Sequence, residues 1–328
     1  MFVTALALVL DFASFTADVA ALDKSAPDAA RKAAIRRVMR SSDAPAALVA
    51  LPRLEALART DPDNLIRCDA LLAVGRVAKL HKKPAPEVLF DALTATDCDC
   101  VPTAAAMALD DLKPLPPGST AKLLKVATTG NDEQRDMGYL MLATHAPKDP
   151  AALKVLRDAA SVPGVMKRHN ARCALFRATD KLSDLFPHIM DIYVLRADTP
   201  GPPNDAPENV KRENMTLNLI YLGGATILAR WTQDRPAELL DEMIASIQLG
   251  SPKVRLEVLR QVERFAEALA EPEPEAIPGS EFDPKRRRAG MKAIVHDPAM
   301  RKALKTAADK DPSPAVRELA KDILGKKP

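Results

Sequence analysis

The chain has 328 residues, more than one compact core usually spans, so it is either multi-domain or elongated. Hydrophobic residues make up 47% and exclude a disordered chain; with 4% aromatics and 12 glycines, alanine and leucine supply the apolar mass, which suits helices better than sheets. Basic and acidic residues number 47 and 44, and a net +3 by itself implies neither nucleic acid nor an anionic membrane as a partner.

The first apolar stretch, residues 2–10, is stopped by Asp11 and followed by Asp18 and Asp23. It falls short of the roughly 18 to 20 apolar residues of a membrane-spanning helix, as does every other run, so no transmembrane span is expected. It also lacks a basic leader region, and the preferred reading is a first helix packed on the next one. A secretory signal or anchor within residues 1–21 is the alternative. Four cysteines (Cys68, Cys98, Cys100 and Cys173) are too sparse for a disulfide framework, so a reducing, cytoplasmic compartment is expected.

From there the chain reads as helix pairs. Amphipathic first helices are predicted over 47–59, 87–96, 120–127, 151–160, 182–195 and 237–249. Pro86, Pro150 and Pro236 stand at or just before their starts, where a missing N–H costs little. Each second helix follows a turn rich in Asp, Pro and Asn. It carries an apolar residue, a basic residue, a small residue three positions on and a large apolar residue four further. The clearest copy runs from Asp61 through Ile66 and Arg67 to Ala70, Val74 and Gly75. Another runs from Asp311 through Val316 and Arg317 to Ala320, Leu324 and Gly325. Arg135 leads to Gly138 and Leu142, Arg168 to Ala171 and Leu175, and Arg255 to Val258 and Val262. Weaker copies begin at Arg31, leading to Ala34 and Val38, and at Pro102, leading to Ala105 and Leu109; one near Lys211 has no clear register. Positions 31, 67, 102, 135 and 168 stand 33 to 36 residues apart; the later intervals are 43, 44 and, from Arg255 to Arg317, 62. One pair cannot bury its apolar face alone, whereas stacked pairs can.

The column residues suggest a structural ladder. Small side chains let paired helices approach closely; Ala160, off the column, is expected to tolerate enlargement. Asp61 and Asp311 stand where they could cap the helices that follow. The arginines Arg67, Arg135, Arg255 and Arg317 stand where they could reach turn carbonyls or the Asp of a neighbouring repeat.

The pattern Asp-Pro-x-x-x-Val/Ile-Arg-x-x-Ala-x-x-x-Leu/Val-Gly resembles the HEAT repeat, including the subgroup named for phycobilisome lyases. The resemblance covers about residues 10–325 in seven or eight copies. It implies an all-α fold, a right-handed α-solenoid of stacked helix pairs forming one superhelix over residues 1–328. It further implies that the second helices line the concave side and that the protein serves as a binding scaffold. Pro102 in place of a basic residue, the loose copy near Lys211 and the 62-residue interval depart from the pattern.

Two segments interrupt the repeats: a Pro-rich loop at 198–208, and an acidic Pro-rich insertion at 271–284 followed at once by Lys285, Arg286, Arg287 and Arg288. Positive charge opening a helix opposes the helix dipole, so this basic run is the candidate partner contact, with the acidic loop as its expected internal counter-charge.

No phosphate loop, nucleophile elbow or zinc-protease motif occurs. Cys98-x-Cys100 and the His169/Cys173 pair could hold a soft metal but lack further ligands at readable spacing, and both read better as structural. His81, His145, His188 and His296 show no partner at readable spacing. Trp231, with Arg230 and Asp234, is too little for a base pocket, and the scarcity of aromatics argues against nucleic acid. The expected function is a non-catalytic protein–protein interaction scaffold without cofactor. An accessory subunit or enzyme of the chromophore-lyase type is the alternative, implied only by the repeat subgroup, and nucleic-acid binding through basic helix faces is a further one.

Overall fold

A computed structural model describes residues 17–326 except 43, 44, 46, 99, 204 and 276–278. Most of the candidate signal or anchor, Asp99 beside the cysteine pair, and the centre of the acidic insertion therefore lie outside the described residues. The described residues are helical throughout, with short turns between helices. None of these helices is long and apolar enough to cross a membrane.

The chain forms two compact units, Met1–Ser161 with Cys173–Thr179, and Val162–Arg172 with Asp180–Pro328. In the first unit α1 (Asp28–Arg40), α2 (Ala47–Thr60), α3 (Asn64–Leu80), α4 (Glu87–Ala92), α5 (Cys100–Asp110), α6 (Ser119–Thr129), α7 (Asp132–His145) and α8 (Pro150–Ala160) follow in order. Helices α2 and α3, α4 and α5, and α6 and α7 pack as pairs. The odd-numbered helices α1, α3, α5 and α7 form one layer of successive contacts; α2 lies on α4, and α6 on α8, on the other side.

Local chemistry sets these boundaries. Asp63 caps α3 by accepting from Leu65 N at 2.8 Å, and Asn131 and Gln134 form a reciprocal capping box at α7. Asp149 accepts from Ala151 N and Ala152 N, with Pro150 at the first helical position where no N–H is needed. Asp61 and Asp311 are not caps: each accepts the backbone N–H two residues on, at 2.9 Å, which folds the turn before its helix. The cap function falls to Asp63 in the first turn and to no side chain in the second.

The small column lies where paired helices meet. Ala34, Ala70, Ala105, Ala171 and Ala320 are fully buried, and a Cβ on Gly138 would stand 2.7 Å from Ala127 N of α6. Gly75 plays the equivalent part between successive helices of one layer, its absent Cβ leaving room for Ala108 of α5. Two positions depart from expectation. Ala160 is buried as deeply as the column residues, so it has no spare room. Leu324 is 36% exposed because α-helical phase turns Ile323 inward instead.

In the second unit, α9 (Val165–Thr179) contributes its first half, followed by α10 (Leu182–Asp198), α11 (Glu208–Asp234), α12 (Pro236–Leu249), α13 (Pro252–Ala270), α14 (Pro284–Val295), α15 (Pro298–Lys310) and α16 (Pro314–Gly325). Helices α10, α12 and α15 pack in succession, and α13 packs on both α12 and α16. The 62-residue interval contains an additional helix, α14, which lies against α11, α12 and α13. Gly290 makes this docking possible: a Cβ there would come 1.7 Å from the Thr232 carbonyl oxygen near the end of α11.

Candidate functional site

The repeated arginines join turns. In the first unit Arg31 lies side-on to Asp61, Nε to Oδ2 at 2.8 Å and Nη2 to Oδ1 at 3.2 Å, while its Nη1 donates to the carbonyls of Lys24 and Ala26 before its own helix. In the second unit Arg255 meets Asp311 with Nε to Oδ2 at 2.8 Å and Nη2 to Oδ1 at 3.0 Å, and donates to the Gly250 carbonyl. Both pairs are buried. Arg67 donates to the Ala58 carbonyl, to Asn64 and to Asp97, the acid in the turn before α5. Arg168 pairs with Asp191 of α10. Arg317 donates to the carbonyls of Asp311 and Pro312. Among the described residues Arg135 pairs with no acid of a neighbouring repeat; it pairs with Asp132 one turn back on an exposed surface. These contacts hold the fold together and leave few charges for a ligand.

The basic run opening α14 is also largely committed. Asp283 caps the helix through Lys285 N and Arg286 N, placing negative charge at its N-terminus and offsetting the dipole penalty. Arg286 pairs with Asp234 at 2.9 Å, and Arg288 donates to the carbonyls of Ala268, Leu269 and Glu271 at the end of α13. The counter-charge thus comes from Asp234, from Asp283 at the end of the acidic insertion and from a helix C-terminus, while Glu271 at the start of the insertion meets Arg288 with its backbone carbonyl. Lys285 and Arg287 make no ion pair among the described residues.

His169, which the sequence pairs only with Cys173, and the scattered His188 are brought together. His169 Nδ1 lies 3.1 Å from His188 Nε2, on facing helices α9 and α10. Burial, then His169 and the guanidinium groups of Arg168 and Arg172, push His188 down to about 3, and burial also lowers His169. The pair is therefore neutral near pH 7. Burial raises the Cys173 thiol to about 11, so it is no ready thiolate. Cys98 and Cys100 are joined to each other at the start of α5, a single local link and not a disulfide framework. Among the described residues no three His, Cys, Asp or Glu side chains come together as metal ligands. Trp231 is 4% exposed and is a core residue, with no face for a stacked base.

The feature with the composition of a binding surface lies on α11. Met215, Leu219 and Leu222 are 58 to 62% exposed and recur at helical spacing along one face. The opposite face, carrying Leu217, Gly224, Leu228 and Trp231, is buried. Gly223 faces open space beside the stripe. Thr216, Asn218 and Thr226 border it without charge, and Arg212 and Arg230 stand exposed beyond its two ends. The 215/219/222 spacing is visible in the sequence, but a stripe of this kind ordinarily faces a core. Only the packing of α11 shows which of its two apolar faces is left uncovered. No family model and no curated protein matches the chain.

Proposed function

We propose that the protein is a HEAT-like, right-handed α-solenoid that acts without catalysis as a scaffold, holding an amphipathic helix of a partner protein against α11. The exposed Met215, Leu219 and Leu222 stripe carries this reading. The three side chains span about 10 Å along a helix, the reach of two turns on a facing helix. Uncharged borders and the exposed Arg212 beyond one end fit an occupant with a short apolar face and an acidic flank; Arg230 beyond the other end is already paired with Asp234 and Glu281. The paired helices stacked within each unit, and the arginine-to-aspartate rungs between their turns, support the solenoid part of the reading.

The nucleic-acid alternative asks for cations that the fold already uses. Arg31, Arg37, Arg286 and Arg288 are tied to Asp61, Asp18, Asp234 and backbone carbonyls respectively.

A photo-crosslinking amino acid placed at Leu219, and separately at Leu249 (86% exposed but isolated), tests the scaffold reading in the native cell. The expected result is a discrete crosslinked protein from position 219 whose joined peptide is an amphipathic helix with an acidic flank, lost on Leu222→Glu. The same products from both positions, or none from 219, would overturn it.

A further inference from the structure

A cleft of about 510 Å³ opens between the ends of α13, α14, α15 and α16, all within the second unit. Its size is that of a small-molecule site rather than of a packing defect. Leu269, Val295, Leu304, Ile323 and Leu324 supply an apolar surface; Leu304 and Ile323 are buried floor, while Leu324 is the exposed wall that the repeat pattern places inward. Arg288, Lys292, Arg301, Lys326 and His296 surround it, against one lining carboxylate, Glu267.

These cations are not equivalent. Arg288 neutralises the carbonyl end of α13, and Lys326 is held by Glu263 at 2.7 Å and Glu267 at 2.9 Å, so their charges are answered within the fold. Lys292, in the last turn of α14, and Arg301, in the first turns of α15, line the same cleft and make no ion pair with any described residue. Two unanswered cations over an apolar floor are complementary to one chemical class: a molecule with an anionic head and an aliphatic body.

We propose that this cleft binds a single-chain aliphatic carboxylate, its carboxylate between Lys292 and Arg301 and its chain on Leu304, Ile323 and Leu324. A carboxylate presents two oxygens that can accept from an ammonium and a guanidinium together. Desolvation of the chain then adds apolar burial that a simple inorganic anion cannot provide. The assignment uses no residue of the α11 stripe, so either reading can fail alone.

Calorimetric titration of the full chain with decanoate, decanol, decyltrimethylammonium and acetate tests it. Decanoate should bind saturably with one site, and the other three should bind far more weakly, since each lacks the head, its charge or the chain. Lys292→Gln with Arg301→Gln should weaken decanoate at least about tenfold through loss of two charge-assisted contacts. Lys285→Gln with Arg287→Gln removes two cations that do not line the cleft and should leave binding unchanged. All four positions are exposed, so both double variants should melt like the parent. Leu304→Ala, which keeps the charges, should also weaken decanoate. Decanol binding as tightly as decanoate, equal losses in the two double variants, or no saturable decanoate binding would each overturn the assignment.

Discussion

The rung at Arg31–Asp61 in the first unit and the rung at Arg255–Asp311 in the second share one geometry, yet 30 residues separate the first pair and 56 the second. In the first unit one further helix, α2, lies between the partners among the described residues. In the second, α14 and the acidic insertion lie between them, with α15 following before the turn that carries Asp311. The rung is set by its turns: an arginine in the first turn of one helix, and an aspartate that folds the turn before another. Chain length between them is immaterial once the additional helix has a place of its own, and Gly290 provides that place against Thr232.

The largest expected effect tests whether the rungs are equivalent. Asp61→Ala leaves the buried Arg31 guanidinium with the exposed Asp28 and two carbonyls, and should lower stability by about 3 to 4 kcal/mol in urea unfolding, with Asp311→Ala at the lower end because Arg255 is somewhat more accessible. A severe loss at one and none at the other would separate the two units in kind. Next, Gly290→Ala should cost about 3 kcal/mol, since the clash is with backbone, and the loss should appear in hydrogen exchange of the second unit only. Gly223→Ala, facing open space on α11, is the control. Within the first unit the rungs should be graded. Arg67→Ala should cost about 1 to 2 kcal/mol, its guanidinium being mostly buried but its Asp97 partner half-exposed, whereas Arg135→Ala should cost less than about 0.5 kcal/mol. Equal losses at these two would contradict the assignment of Arg135 as an exposed local pair.

Acid should act on both units with different reach. His145 in the first is pushed down to about 4, chiefly by burial and then by Lys113, and His188 in the second to about 3. Both are neutral when folded and take up protons more readily when unfolded, so their contribution is fully present above about pH 6.5. It is lost progressively as pH falls toward 4 for His145 and toward 3 for His188. Urea midpoints should therefore drop from pH 7 to pH 5, and His188→Gln should flatten that slope in the second unit. A slope unchanged in His188→Gln would remove the histidine pair from the account.

Much of this was legible because turns and helix faces are local. The arginine, the small residue three on and the apolar residue after it mark the second helices, and the predicted first helices over 47–59, 151–160 and 237–249 match α2, α8 and α12 to within a residue. What escaped is what depends on distant contacts. His169 and His188 sit 19 residues apart on facing helices, and no spacing rule connects them. The inward phase of Leu324 failed by one position because the contacts of α16 with α13 and α15 turn Ile323 inward instead. The Met215, Leu219 and Leu222 stripe has the same pattern as a core face, so only the packing partners of α11 distinguish them. The cleft required residues from four helices to converge.

The way the insertion is fastened has one more consequence. Its outgoing strand is held where Arg288 takes the carbonyls of Ala268, Leu269 and Glu271; its returning strand is held where Gln233 accepts from Asp283 N and donates to the Glu281 carbonyl. Each stub is moored to a helix independently of the other, so a break in the backbone between them would leave both in place. A cut in this stretch should therefore leave a two-piece protein that holds together, because α14, α15 and α16 stay packed on α11, α12 and α13.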